Sequence, residues 1–219
     1  MSYVITIDGP AGAGKSSVAK DVARELGINY LDTGAIYRAI ALLLAKSEVR
    51  PDNEEYLREA LSEIRVELQD GRVLVNGFDV SGEIRTPEVD ELASVYSAVP
   101  AVREALLGLQ QEQEKHGSIV AEGRDVGSVV FPDAQVKFFI TASPEARARR
   151  RYLERISKGK PADYDKILSA IIERDKNDSS RETAPLTIPE GAVYLDTSDM
   201  TEQEAAEFII KHVKAEIQQ

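Results

Sequence analysis

Gly9-Pro10-Ala11-Gly12-Ala13-Gly14-Lys15-Ser16 decides the reading of this chain, because it satisfies G-x-x-x-x-G-K-[ST] at every position. Gly12 and Gly14 let backbone N–H groups converge on phosphate oxygens where a Cβ would obstruct them. A helix opening near Lys15 points its positive end at the same place. Lys15 is then placed to reach the β- and γ-phosphates, and the Ser16 hydroxyl to take a Mg²⁺ position. The stretch Gly9–Ser17 therefore reads as a site for a nucleoside triphosphate. It says nothing about what receives the phosphoryl group.

The flanks give the motif its context. Tyr3-Val4-Ile5-Thr6-Ile7 is a β-branched run ending at Asp8-Gly9, which reads as a buried strand. Ser17–Leu26 carries Val18, Val22 and Leu26 at helical spacing, and Gly27 stops it. Asn29-Tyr30-Leu31 is a short strand, and helices are expected over Ala35–Ala45 and Glu54–Ile64. From Arg65 to Ile84 apolar and polar residues alternate, broken by Asp70-Gly71 and Asn76-Gly77, the signals of a small antiparallel insertion. Helical period returns from Pro87 to Lys115, with Pro100 opening a new helix. Ser118–Ala121, Gln135–Ile140 and Ala192–Leu195 are further strands, with helices opened by Ser143-Pro144-Glu145, over Asp163–Ser179, and by the capping box at Thr201. Strands alternating with helices predict an α/β fold with a mainly parallel sheet flanked by helices.

Composition narrows the function. With 219 residues, 42% apolar and 30% charged, the chain has the balance of a soluble globular protein and the length for one core with an insertion. It has no cysteine, so disulfides and thiolate metal sites are excluded. Met1-Ser2-Tyr3-Val4 lacks the basic flank and apolar run of a signal peptide, and the longest apolar stretch, around Ile40–Ala45, suits a buried helix. A cytoplasmic protein without a membrane partner is expected. The net charge of −11 argues against a nucleic-acid polymer as partner, but a few local arginines suffice for a small anion. No coiled-coil stripe points to an oligomer, so a monomer is expected. His116 and His212 have no partner pattern and are expected at the surface.

Arginines gather where strands end and helices begin. Arg124, beside Asp125, follows a predicted strand and would face the ligand crevice of an open sheet. Arg174, Asp178 and Arg181, at i, i+4 and i+7, are expected on one helix face. They form either an ion-pair ladder or a donor–acceptor fork for phosphate and sugar hydroxyls. Arg147, Arg151 and Arg155 share another face, followed by Ser157-Lys158-Gly159-Lys160-Pro161, which reads either as an exposed charged helix or as a closing lid. The chain shows neither Asn-Lys-x-Asp nor the switch pattern of a GTPase.

Together with the loop, several runs resemble bacterial cytidylate kinases. They are Asp32-Thr33-Gly34-Ala35-Ile36-Tyr37-Arg38, Ile84-Arg85-Thr86-Pro87-Glu88-Val89, Gly123-Arg124-Asp125-Val126-Gly127 and Glu173-Arg174-Asp175. The resemblance implies a P-loop kinase fold with a parallel five-stranded sheet, and transfer of the ATP γ-phosphoryl group to CMP or dCMP with Mg²⁺. It implies a single domain with a core over about 1–62, 99–145 and 180–219, a monophosphate-binding insertion over about 63–98, and a helical lid over about 146–165. It also assigns residues. Gly9, Pro10, Ala11, Gly12, Ala13, Gly14, Lys15, Ser16 and Ser17 would hold ATP, with Ser16 on the metal. Arg38, Arg124 and Arg174 would hold the acceptor phosphate. Ser94, Arg103, Asp125 and Arg181 would read the cytosine with Thr33 nearby, Asp178 would take the ribose hydroxyls, and Lys15, Arg147 and Arg151 would neutralise the transferring group. Thr141 stands where some members carry an acidic residue, which leaves Asp8 as the candidate carboxylate near Mg²⁺. Two other readings are open on the residues alone: a kinase for another small acceptor such as shikimate, and a regulatory module that binds ATP without transferring phosphate.

Overall fold

The computed structural model describes residues 2–69 and 71–217. Strands and helices alternate as β1 (Val4–Asp8), α1 (Lys15–Leu26), β2 (Asn29–Asp32), α2 (Thr33–Lys46) and α3 (Glu54–Glu63), before the hairpin strands β3 (Val66–Gln69), β4 (Arg72–Val75) and β5 (Phe78–Asp79). Helices α4 (Pro87–Tyr96) and α5 (Pro100–Glu112) follow, then β6 (Ile119–Gly123), β7 (Val136–Thr141), α6 (Pro144–Ser157), α7 (Tyr164–Ser180), β8 (Val193–Asp196) and α8 (Glu202–Ile217). A five-stranded sheet is ordered β2-β6-β1-β7-β8, and its β1·β6, β1·β7 and β7·β8 ladders are parallel. All five residues of β1 are buried, as a central strand covered on both faces requires.

The chain forms two compact units. One holds the chain up to Leu31, Gly117–Arg181 and the chain from Pro185; the other holds Asp32–His116 and Glu182–Ala184. The core of the first packs Ile5, Ile7, Phe138 and Ile140 of the sheet against Val18 and Val22 of α1 and Ile209 and Val213 of α8. His212, expected at the surface, is half-buried: its ring meets Phe138 edge-on at 5.5 Å and stacks on Phe208 at 6.5 Å. Position 212 lies one residue from the buried Val213, so the helix turns its apolar imidazole edge inward. The second unit contains α2 to α5 and the three-stranded antiparallel sheet β3-β4-β5. Asn76 and Gly77, at φ 50° and 80°, make the tight turn that their order predicts. Asp70 of the other expected turn lies outside the described residues, as does Met1. A partly open pocket of about 150 Å³ lies in this unit among Ile40, Leu61, Ile64 and Leu106. No single helix among the described residues is long and apolar enough to cross a membrane.

The caps follow the local sequence. Asp32, Asn53, Thr86, Ser143 and Asp163 each accept from the N–H three residues on, at the starts of α2, α3, α4, α6 and α7. Capping by Asp32 starts α2 at Thr33, two residues before the expected Ala35. At the end of α7, Arg181 is extended at φ −65°, ψ 143°, so it lies just beyond the helix and does not continue the face of Arg174 and Asp178.

Replacing the fully buried Phe138 with alanine is expected to cost about 3–5 kcal/mol. Urea unfolding followed by circular dichroism measures it.

Candidate active site

Register places the site. Asp8, the last residue of β1, pairs with Gly123 on β6 and Phe139 on β7, so the loops after β1 and β6 leave the same carboxyl edge side by side. That edge is where open α/β sheets hold ligands. The loop after β1 is Gly9–Gly14, and the loop after β6 opens with Arg124 and Asp125. Gly9 is required by close approach, since a Cβ would lie 1.9 Å from the Ile140 carbonyl oxygen.

The glycine-rich loop is held from within. Lys15, in the first turn of α1 and 5% exposed, donates to the Pro10 carbonyl at 2.8 Å across the loop. Burial, reinforced by the Arg124 charge and opposed by Glu122 and Asp8, lowers the Lys15 pKa to about 7. The Ser16 hydroxyl donates to Glu122 Oε1 at 2.6 Å. Glu122 is a buried carboxylate in β6, which runs two residues further at this end than the expected strand Ser118–Ala121, and nothing in its local sequence marks it as a partner of Ser16. The acidic residue found beside Ser16 is thus Glu122. Asp8 commits its oxygens elsewhere, to the Val126 and Gly127 amides. Ser16 and Glu122 together present hard oxygen donors of the kind Mg²⁺ takes.

The expected lid residues divide by depth. Arg147 is 3% exposed and its guanidinium is engaged: Nε donates to Ala142 O at 2.8 Å, Nη1 to Ala11 O at 3.0 Å, and both terminal nitrogens to Asp175 at 2.9 and 2.5 Å. One side chain of α6 therefore ties the phosphate loop to α7. Arg151, one turn on, is half-buried. Neighbouring Arg150 donates to the Thr197 and Met200 carbonyls, and the Thr197 hydroxyl donates to Thr141 O at 3.0 Å.

The expected acceptor residues fall into two sets, one in each unit. In the first unit, Arg124 Nε donates to Asp178 Oδ2 at 2.8 Å, and Arg181 Nη2 lies 3.7 Å from Asp125 Oδ1. Burial raises the Asp178 pKa, but the Arg124 charge and hydrogen bond outweigh it and hold the carboxyl below its usual range. Arg174 adds to that field. In the second unit, Thr33 opens α2 and is buried, and Arg38 Nη2 donates to Asp32 Oδ2 at 3.0 Å. Arg103 is 8% exposed, donates to Ser97 O at 3.1 Å, and lies 5.4 Å above the Tyr37 ring. Ser94 lies on α4, its carbonyl accepting from the Ser97 hydroxyl.

A glycine-rich loop and lysine opening the helix after the central strand of a parallel sheet, with paired arginines and carboxylates at the same edge, define a P-loop kinase fold. The chain belongs to the cytidylate kinase family, whose family model matches residues 5–215. A relative named cytidylate kinase from Caldanaerobacter subterraneus subsp. tengcongensis is 48% identical over 98% of this chain and 96% of its own length. Another, from Mycobacterium leprae, is 46% identical over 96% of this chain and 95% of its own length. A solved structure of a protein from Eubacterium ventriosum matches with a TM-score of 0.52 at 14% identity, over 97% of this chain and 98% of that one, a likeness of fold alone.

Asp175→Asn weakens the pair that neutralises buried Arg147, and is expected to lower stability by about 3 kcal/mol. Chemical denaturation of wild type and variant tests the value.

Proposed function

We propose that the chain transfers the γ-phosphoryl group of ATP to CMP and dCMP, giving ADP with CDP or dCDP. The reading is carried, in a chain of this family, by the loop after β6. There Arg124 and Asp125 leave the sheet one strand from the donor loop, each facing an ionic partner that can turn to a ligand. In this reading Gly9–Ser17 hold the triphosphate. Ser16 would hold Mg²⁺ together with Glu122, supported by their 2.6 Å contact. Arg38, Arg124 and Arg174 bind the acceptor phosphate, and Asp178 the ribose. Ser94, Arg103, Asp125 and Arg181 read the cytosine near Thr33. An Asp that accepts from N4 and an Arg that donates to N3 and O2 separate cytosine from uracil.

The acceptor is already an anionic oxygen, so no general base is needed to make the nucleophile. Catalysis is positioning plus neutralisation of charge on the transferring group. Lys15 supplies that charge at the donor loop. Arg147 and Arg151 are assigned with it, Arg147 acting from its fixed place against the Ala11 carbonyl. The insertion over about 63–98 is read as a monophosphate-binding part and the segment over about 146–165 as a lid. We read the protein as a cytoplasmic monomer whose partners are small molecules.

Following ADP with ATP, Mg²⁺ and each monophosphate in turn tests the activity. Production that depends on CMP supports it, and hydrolysis indifferent to acceptor overturns it. Lys15→Ala is expected to cut the CMP-dependent kcat roughly 10²–10³-fold with the fold intact. Because Lys15 has a pKa of about 7 and an adjacent polyphosphate favours its charged form, ATP binding near pH 8 is expected to take up as much as one proton. Calorimetry in two buffers of different ionisation enthalpy reads that uptake, and Lys15→Met removes it.

A further inference from the structure

Asp8 ends β1 one residue before the phosphate loop, is fully buried, and serves a different loop. Its Oδ1 accepts from the Val126 amide at 2.7 Å and its Oδ2 from the Gly127 amide at 2.7 Å. These are the two residues directly after Arg124 and Asp125. From there Val126–Val130 runs as a short π-helical turn, an irregular form that concentrates at functional positions. The turn closes when the Val126 carbonyl accepts from Phe131 N–H, five residues on, at 2.7 Å. It is also pressed onto β1: a Cβ at Gly127 would lie 2.6 Å from Thr6 Oγ1 and 3.1 Å from Asp8 Oδ2. One carboxylate therefore holds the backbone that carries the Arg124–Asp178 and Asp125–Arg181 pairs.

We propose that Asp8 is a positioning residue for acceptor recognition: by gripping the Val126 and Gly127 amides it aims Arg124 and Asp125, and so sets the discrimination between cytosine and uracil monophosphates. The inference rests on the reading above, in which Asp125 meets the base. The chemistry asks for a carboxylate, because two convergent N–H donors need two acceptor oxygens. A carboxamide satisfies one donor and turns its own N–H₂ toward the other. Misplacement of a recognition group by about 1 Å can cost roughly 10² in rate.

The test is steady-state kinetics of wild type, Asp8→Asn and Gly127→Ala with CMP, UMP and ATP varied in turn. Gly127→Ala pushes on the same contact from the turn side. In each variant the KM for CMP is expected to rise about tenfold or more, the CMP-over-UMP ratio of kcat/KM to fall by a similar factor, and the KM for ATP to stay within about twofold. A CMP-over-UMP ratio unmoved in both variants overturns the inference. So does an ATP KM that rises as far as that for CMP, since Asp8 would then act on the donor loop beside it. If Asp8→Asn does not unfold cooperatively, Gly127→Ala decides by the same criteria. Wild type without CMP-dependent ADP production would sink the proposed function and this inference with it. Wild type that prefers CMP while both variants keep that preference sinks this inference alone.

Discussion

The ladder that sets Asp8 against Gly123 on one side and Phe139 on the other determines where every loop of the first unit's site begins. In a parallel sheet neighbouring strands end at the same edge, so the loop after β1 and the loop after β6 start about one strand spacing, roughly 5 Å, apart. Shifting that register by one residue would move each buried β1 side chain to the opposite face of the sheet, against helices it does not fit. It would also separate Ser16 from Glu122, whose 2.6 Å contact depends on where β6 ends. The buried apolar stack of Ile5, Ile7, Phe138 and Ile140 makes that register the stable one.

Charge is buried throughout the first unit's site, and each case carries its own compensation. Asp8 is pushed up to about 7 by burial while two amides pull it down, and Lys15 is brought down to about 7 from the other side. Groups held this close to neutrality respond strongly to an added charge, which suits a site that must receive polyphosphate. Arg147 shows the opposite solution. Its guanidinium is matched by two carbonyls and a bidentate carboxylate, so it behaves as a fixed strut from the phosphate loop to α7. An arginine whose helical spacing fits either an exposed charged face or a lid is, in the folded chain, a joint between three segments.

Much of this was legible in order. The loop, the alternation of strands and helices, the Asn76-Gly77 turn and the capping residues are local, because each is decided by residues within about four positions of one another. Arg124 with Asp125 was legible for the same reason, from its place just after a strand. Glu122 was not, since its meaning lies in Ser16, 106 residues away. The role of Asp8 was not either, because its partners are 118 and 119 residues distant.

By itself the sequence determined a glycine-rich G-x-x-x-x-G-K-S loop, an α/β order of elements, and a family signature spread along nearly the whole chain. All three are carried by residue type at short spacing. Only the tertiary structure decided which carboxylate stands at Ser16, which holds the turn after Arg124 and Asp125, and which arginine is locked in place. Those are long-range pairings, and their energies come from burial and from hydrogen bonds that exist only once β1 lies between β6 and β7.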